Sequence, residues 1–223
     1  MSVASPRPLL IVTGTRREAK VLAGPDVITL AGGGDSDRLA RAIDARAGEV
    51  CGILSFGMAG ALDPALHLGD WVIGTQVGDA PCDPVFAGAM ASRLRSGRRL
   101  PAQGPIHASD HLIASAWEKS DLHAQTGAIA CDMESHVVAA AATRHGLRFA
   151  VLRCISDAAD TDLPPAIAVA MKPGGGLALG RILWSLLRHP LQVPSLIATT
   201  RRFGAAFKVL AGSGNRALRS VWD

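Results

Sequence analysis

The sequence predicts an α/β fold. It should be a single domain with a mixed, mostly parallel central sheet flanked by helices, carrying a basic, apolar C-terminal helical tail. Three observations lead there. Short runs of Val, Ile and Leu, bounded by glycine, alternate with helix-like stretches up to residue 155, the alternation that builds a parallel sheet. Nearly half of the 223 residues are apolar but only 4% are aromatic, with no Tyr. Small branched side chains of this kind suit a sheet covered on both faces, and the length allows a full core. Charge divides the chain: up to Asp162, 15 Lys/Arg face 18 Asp/Glu, whereas residues 163–222 hold eight Lys/Arg and no acid. With the break "MKPGGG" at 171–176, this separates a domain over residues 1–170 from an extension over residues 171–223.

The elements follow in order. "LLIVT" (9–13) reads as a first strand ended by Gly14, and "TRREAKVLA" as a helix start. Residues 27–30 form a short strand before Gly32, Gly33 and Gly34. Residues 35–47 have helical spacing with acids in the first turn, where the helix dipole favours them. "VCGILSF" (50–56) is a buried strand, "GMAGALDPALHLG" a glycine-punctuated turn and "DWVIGTQV" (70–77) another strand. Residues 81–99 are weakly helical, 105–108 a short strand and 112–119 a helix. A strand at 128–131 leads into an Ala/Val-rich helix at 134–145, stopped by Gly146, and residues 148–155 give the last strand. In the tail, "LALGRILWSLL" (177–187) and "LIATTRRFGAAFKVL" (196–210) are apolar and basic together.

Several function classes drop out. Cys51, Cys82, Cys131 and Cys154 form no C-x-x-C pair, so neither a disulfide framework nor a zinc site is expected. The first apolar run is short and opens a strand, so no signal peptide is expected and the compartment reads as cytoplasmic. Arg181, Arg188, Pro190 and Pro194 interrupt the tail well before the ~20 apolar residues that a membrane span needs. The basic residues lie among apolar ones without a reader motif, so no nucleic-acid partner is expected.

Ligands of parallel sheets bind at the carboxyl ends of strands. Four polar or glycine-rich clusters fall at such ends: residues 14–18, 57–60, 132–134 and 156–160. Singly, each has a structural reading: Glu18 as a solvated helix residue, the glycines as a turn, Glu134 as a helix N-terminal acid, Asp157 as a cap. Together they point to one pocket.

"FGMAGALDPALHLGDWVIG", "ACDMESHVVAAAATRHGLRFAVLRCISDAAD" and "VTGTRREAKVL" resemble three motifs of the purine nucleoside phosphorylase/nucleosidase superfamily, the last two in their methylthioadenosine/S-adenosylhomocysteine nucleosidase form. The resemblance spans about the first three quarters of the chain. The basic tail, absent from those nucleosidases, resembles the hopanoid-associated phosphorylase branch, whose proposed substrate is adenosylhopane. The resemblance implies cleavage of a purine N-ribosidic bond without a cofactor. Asp157 would donate a proton to purine N7, kept protonated by burial and oriented by Ser156 and Asp160. Glu134 would accept from the ribose hydroxyls, with Met133 packed on the sugar and Gly60 beside the nucleoside. Ile113 would meet the base edge, and Leu112 stands where the nucleosidases have a stacking aromatic. Arg153, inside its strand, would pair with a site carboxylate.

The superfamily divides on its nucleophile. Glu18 holds the first-loop position that is glutamate in hydrolases and arginine in phosphorylases, and Met58 stands where phosphorylases offer a hydroxyl. A carboxylate repels phosphate and a thioether cannot donate to it, so water is favoured. Arg16, Arg17 and the glycines at 32–34 keep phosphate open as a co-substrate. In the tail, Trp184, Leu186, Leu187, Phe203 and Phe207 alternate with Arg181, Arg188, Arg201, Arg202 and Lys208. That mixture suits either docking on anionic lipid at the inner membrane surface or packing of a helix on the domain. A homo-oligomer, a dimer by family habit, is expected. Two alternatives stand: a nucleosidase for soluble methylthioadenosine or S-adenosylhomocysteine, and a non-catalytic nucleoside-binding protein.

Overall fold

The computed structural model describes residues 7–94, 100–168 and 193–218. Its sheet is built on β1 (Leu9–Thr13), β2 (Val27–Ala31) and β3 (Gly52–Ala61), all parallel, with β1 between the other two. Beyond β3 the sheet closes on itself. β3 pairs in parallel with β8 (Arg148–Asp157), and β8 runs antiparallel to β4 (Trp71–Val77). β4 is parallel to β6 (Ala102–Ala108), β6 is parallel to β7 (Ala130–Asp132), and β7 returns antiparallel to the end of β3. A two-residue β5 (Ala80–Pro81) folds back on β4. The sheet is therefore mixed, with parallel pairs in the majority, as the βα alternation predicts.

Period-2 alternation sends successive side chains to opposite faces, and each face has its own apolar cluster. Leu10, Val12, Ile53, Val72 and Val151 point to a layer completed by α2 (Ser36–Asp44) and α5 (Ser135–His145). Leu9, Ile11, Leu54, Phe56, Ile73 and Leu152 point to the other, completed by α3 (Pro84–Leu94) and α7 (Val193–Leu218). Short helices α1 (Arg16–Ala19) and α6 (Pro165–Ala168) and the longer α4 (Ala116–Thr126) fill the connections.

The structure corrects two expectations and places one face of the tail. Residues 57–61 are not a turn but the second half of β3. Gly57, Met58 and Ala59 pair in register with Arg153, Cys154 and Ile155 of β8, and a bulge at Ala59/Gly60 then turns the strand toward β7. Residues 112–115 lie outside the helix, which begins only at Ala116, because an extended Ser115 accepts from Glu118 N and caps it. At the described end of the tail, the helix packs on the domain, one of the two readings its composition allows. Ala206 and Leu210 of α7 are fully buried in the Phe56/Leu152 cluster, and Gly214 lies so close that an added Cβ would stand 2.8 Å from Phe56 Cζ. Phe207 packs against the same cluster under the Arg17 guanidinium, which lies 3.8 Å above its ring. The expected helix over residues 177–187, with Arg181, Trp184, Leu186 and Leu187, and Arg188 beyond it, lies outside the described residues.

Candidate active site

The site begins where β1 ends. Thr15 caps α1 and Glu18, three residues on, completes a capping box. That box turns the Glu18 side chain inward. Its Oε2 accepts from Thr15 N at 2.7 Å and Thr15 Oγ1 at 2.9 Å, and its Oε1 accepts from Met58 N at 2.9 Å. Glu18 is only 3% exposed, so it is not the solvated helix residue of the structural reading. The Met58 side chain packs half-buried against the Leu54/Phe56 layer, and this residue serves the site through its backbone N–H.

Glu134 enters from the start of α5. Asp132, at the end of β7, accepts from the Glu134 and Ser135 amides through Oδ1 and from Ser135 Oγ through Oδ2, which fixes the first turn. Arg153, fully buried in β8, stands against these acids. Its Nε lies 2.8 Å from Asp132 Oδ2, a coulombic contact without hydrogen-bond alignment, and its Nη2 lies 3.8 Å from Glu134 Oε2. Nη2 also donates to Ser55 Oγ at 2.6 Å and to Ser135 Oγ at 3.1 Å. The strand arginine therefore offsets the charge of a buried carboxylate group, as its position predicts.

Two glycines let this cluster close. A Cβ on Gly14 would sit 2.9 Å from Glu134 Oε1 and 3.3 Å from Glu18 Oε2, and one on Gly57 would sit 2.7 Å from Arg153 Nη1 and 2.8 Å from Glu18 Oε1. Glu18 and Glu134 thus face one small space. Burial pushes the Glu134 carboxyl up to about 7, with the Asp132 and Glu18 charges adding to the rise and Arg153 and the Met133 amide opposing it. Met133 itself is half-buried between the two acids.

The second centre is at the end of β8. Asp157 is 4% exposed; its Oδ1 accepts from Ser156 Oγ at 2.8 Å, and Ser156 Oγ is also 3.2 Å from Ala59 O. Its Oδ2 accepts from Lys119 Nζ at 2.6 Å, an ion pair with side chains 0% and 5% exposed. Asp160 is exposed and bonded to Thr161 Oγ1, so Lys119, not Asp160, orients Asp157. A Cβ on Gly60 would meet Asp157 Oδ2 at 3.0 Å and Cys131 Sγ at 3.2 Å. Ile113 packs with Cys131, Leu62 and Ala128, and the neighbouring Ala114 carbonyl accepts from Leu163 N at 2.8 Å. Half-buried Leu112 lies in the same strap.

The register sets the distance between the centres. Gly57 is opposite Arg153 and Gly60 opposite Asp157, so the two lie about 10 Å apart at ~3.3 Å per strand residue. Of the sequence candidates, the structure gathers Glu18, Glu134, Arg153 and the Met58 amide at one centre, and Asp157, Ser156 and Gly60, with Ile113 adjacent, at the other. Lys119 escaped the sequence reading because a lysine in the helical stretch "SAWEKSDLHAQT" looks like any solvated one; the Ser115–Glu118 cap places it, but only the fold shows where it points. Asp132 was visible in the 132–134 cluster, though its task of holding α5 and Arg153 was not.

Several of the groups that kept phosphate open have other neighbours. Arg17 stacks on Phe207. Arg16 lines a separate surface cavity of about 360 Å³ with Lys20, Thr29 and Arg38. The Gly32 and Gly33 amides donate to Thr13 O and Gly14 O.

The profile of the phosphorylase superfamily matches residues 33–172. No curated protein is significantly similar in sequence. Among solved structures, the fold is similar to a 5′-methylthioadenosine/S-adenosylhomocysteine nucleosidase from Helicobacter pylori with butyl-thio-DADMe-Immucillin-A, at 17% identity and a TM-score of 0.64, covering 95% of this chain and 99% of that one. It is also similar to an S-adenosylhomocysteine nucleosidase from Streptococcus pyogenes with 5-methylthiotubericidin (16%, TM-score 0.61, 94% and 98% covered). A futalosine hydrolase mutant from Helicobacter pylori superposes over a shorter stretch (16%, TM-score 0.58, 70% and 92% covered). The closed mixed sheet, the carboxylates at its strand ends and the profile match over most of the chain agree: this protein belongs to the phosphorylase superfamily.

Proposed function

We propose that the chain cleaves the N-ribosidic bond of a purine nucleoside, with water as the nucleophile. The observation that carries this reading is the pair of buried centres: Asp157 over Gly60, and Glu18 between Gly57 and Gly14 with Glu134 over Gly14. Departure of a purine puts negative charge on the base and oxocarbenium character on the sugar. Asp157 supplies the proton to N7 as the C1′–N9 electron pair moves onto the base. Glu134 accepts from the ribose hydroxyls and places a carboxylate near the developing cation. Glu18 takes a proton from the water that adds to C1′. Phosphate fits poorly beside two carboxylates, and Glu18 already engages the Met58 amide that an anion would use.

Adenosylhopane is the substrate we favour, with the enzyme in the cytoplasm and in peripheral contact with the inner membrane surface. The sequence resemblance supports this, as do Arg201, Arg202 and Lys208, exposed on α7 beside exposed Val193, Ile197 and Val209. The second reading, a nucleosidase for soluble methylthioadenosine or S-adenosylhomocysteine, gains from the packing of α7 into the core, which gives that helix a purpose without lipid. A homo-oligomer completes the proposal, and Trp117, 75% exposed on α4, offers a surface for it.

Product analysis tests the reading. Adenine and a free sugar should appear from adenosylhopane in phosphate-free buffer. A strict phosphate requirement with a sugar 1-phosphate product would refute hydrolysis. Faster turnover of methylthioadenosine than of adenosylhopane would favour the second reading.

A further inference from the structure

Lys119 is fully buried, and each proton of its ammonium has an acceptor. Nζ donates to Asp157 Oδ2 at 2.6 Å, to Ala158 O at 3.0 Å and to Thr161 O at 3.0 Å. Two of these acceptors are carbonyls, which can only accept. The third is a carboxylate, which can also hold a proton. If the proton between Nζ and Oδ2 moves to oxygen, the neutral amine still has two N–H groups for the two carbonyls. Its lone pair then accepts from the new carboxyl O–H. No hydrogen bond is lost and the pair keeps its net charge. A solvent-exposed lysine, or one facing three carbonyls, has no such second arrangement. The Cys131 thiol also faces this point; burial pushes it up to about 12, so it remains protonated and does not compete.

We propose that Lys119 is a positioning residue that acts through Asp157: it fixes the carboxyl over Gly60 and resupplies the proton that the leaving base takes. The proposal rests on the N-ribosidic reading above. The Nζ proton passes to Oδ2, leaving a neutral amine. The carboxyl O–H, on the oxygen nearest Gly60, turns to N7 and gives up that proton as the C1′–N9 bond breaks and its electron pair moves to the base. Glu18 takes one proton from the attacking water and releases it to solvent, and solvent returns one to Nζ. The count closes on one nucleoside and one water consumed.

The test compares two leaving groups in phosphate-free buffer. Adenosine needs a proton on its base; p-nitrophenyl β-D-ribofuranoside expels a stable phenolate and needs none. For Lys119→Met and Lys119→Arg, kcat with the adenine nucleoside should fall by about 100-fold or more. With the phenyl riboside it should fall less than about tenfold, and KM should change little in both. Arginine keeps the charge but cannot release its proton, so normal adenosine turnover by a folded Lys119→Arg would overturn the relay. An equal fall for both substrates would reduce Lys119 to a structural role and also overturn it. If Lys119→Met does not fold, Lys119→Gln, which keeps donors for the Ala158 and Thr161 carbonyls, gives the same readout. A wild-type chain that cleaves no purine nucleoside would refute the function reading itself, whereas an active wild type with unimpaired Lys119 variants would refute only this inference.

Discussion

Asp157 and Lys119 neutralise each other inside the protein, so neither can be changed alone without a structural consequence. Asp157→Asn should lower turnover of a purine nucleoside by about 100- to 10,000-fold, the usual range for loss of a general acid. It should also cost about 3–5 kcal/mol in a denaturant titration, because it leaves the buried ammonium without its partner. Lys119→Met combined with Asp157→Asn should recover most of that stability and none of the activity; failure to recover it would mean that the pair is not coupled. Glu134 gives a different signature. Burial holds it at about 7 instead of 4.5, and only the carboxylate has both oxygens free to accept from the two hydroxyls. Accordingly kcat/KM should rise with pH through about 7, and Glu134→Gln should lower it and remove that limb. The folded-state value is raised, so the stability linked to this group is fully present below 4.5 and is lost as pH rises through about 7. Melting temperatures of the wild type and Glu134→Gln over that window should converge at acid pH and separate above it.

At the level of elements, the site depends on β3 continuing through a glycine-rich stretch that looks like a turn. Gly57 leaves room for Glu18 Oε1 and Arg153 Nη1, both closer than 3 Å to any Cβ placed there. Both are the ends of flexible side chains, but each is held in a buried network and neither can retreat freely. Gly57→Ala should therefore displace Glu18, cost about 1–3 kcal/mol and reduce turnover far more than stability. Gly88→Ala is the control. Gly88 lies exposed in α3 with nothing within 4 Å of its Cβ position, so alanine should stabilise the chain by about 0.5–1 kcal/mol and leave turnover unchanged. Equal effects on activity would show that the close approach at Gly57 is irrelevant. The capping box at Thr15–Glu18 makes the same point: one carboxylate ends up both capping a four-residue helix and facing the site.

For the whole molecule, α7 decides how the tail can be tested. Deleting it would uncover Phe56, Trp71 and Leu152, so truncation before Val193 should yield a chain that melts well below the full protein or fails to fold. The membrane question therefore calls for charge reversal on its outer face. Arg201, Arg202 and Lys208 are exposed, and each contributes ~1 kcal/mol near an anionic surface. The triple change to Glu should abolish salt-sensitive co-sedimentation with anionic vesicles and leave cleavage of a soluble adenosine analogue intact. Unchanged vesicle binding would sink the docking proposal.

The sequence by itself determined the α/β class, the positions of β1, β3, β8 and α5, and the acids at strand ends, because strand periodicity, glycine stops and caps are local signals. It also pointed to Arg153 as a charge needing a partner, since an arginine within "AVLRCISD" has nowhere to reach water. Only the tertiary structure decided what those groups face. Closure of the sheet through β4, β6 and β7 is non-local and brings Lys119 of α4 against Asp157 of β8, while the non-local pairing of β1 with β3 brings Glu18 against the Met58 amide. It also turned the apparent turn at 57–60 into the strand that sets the distance between the two centres, because pairing with β8 outweighs the local preference of glycine. The basic C-terminal helix could be read from its composition as tail or as core. Burial of Ala206 and Leu210 settles its inner face, since a helix places residues three to four apart on one side and leaves its arginines on the other.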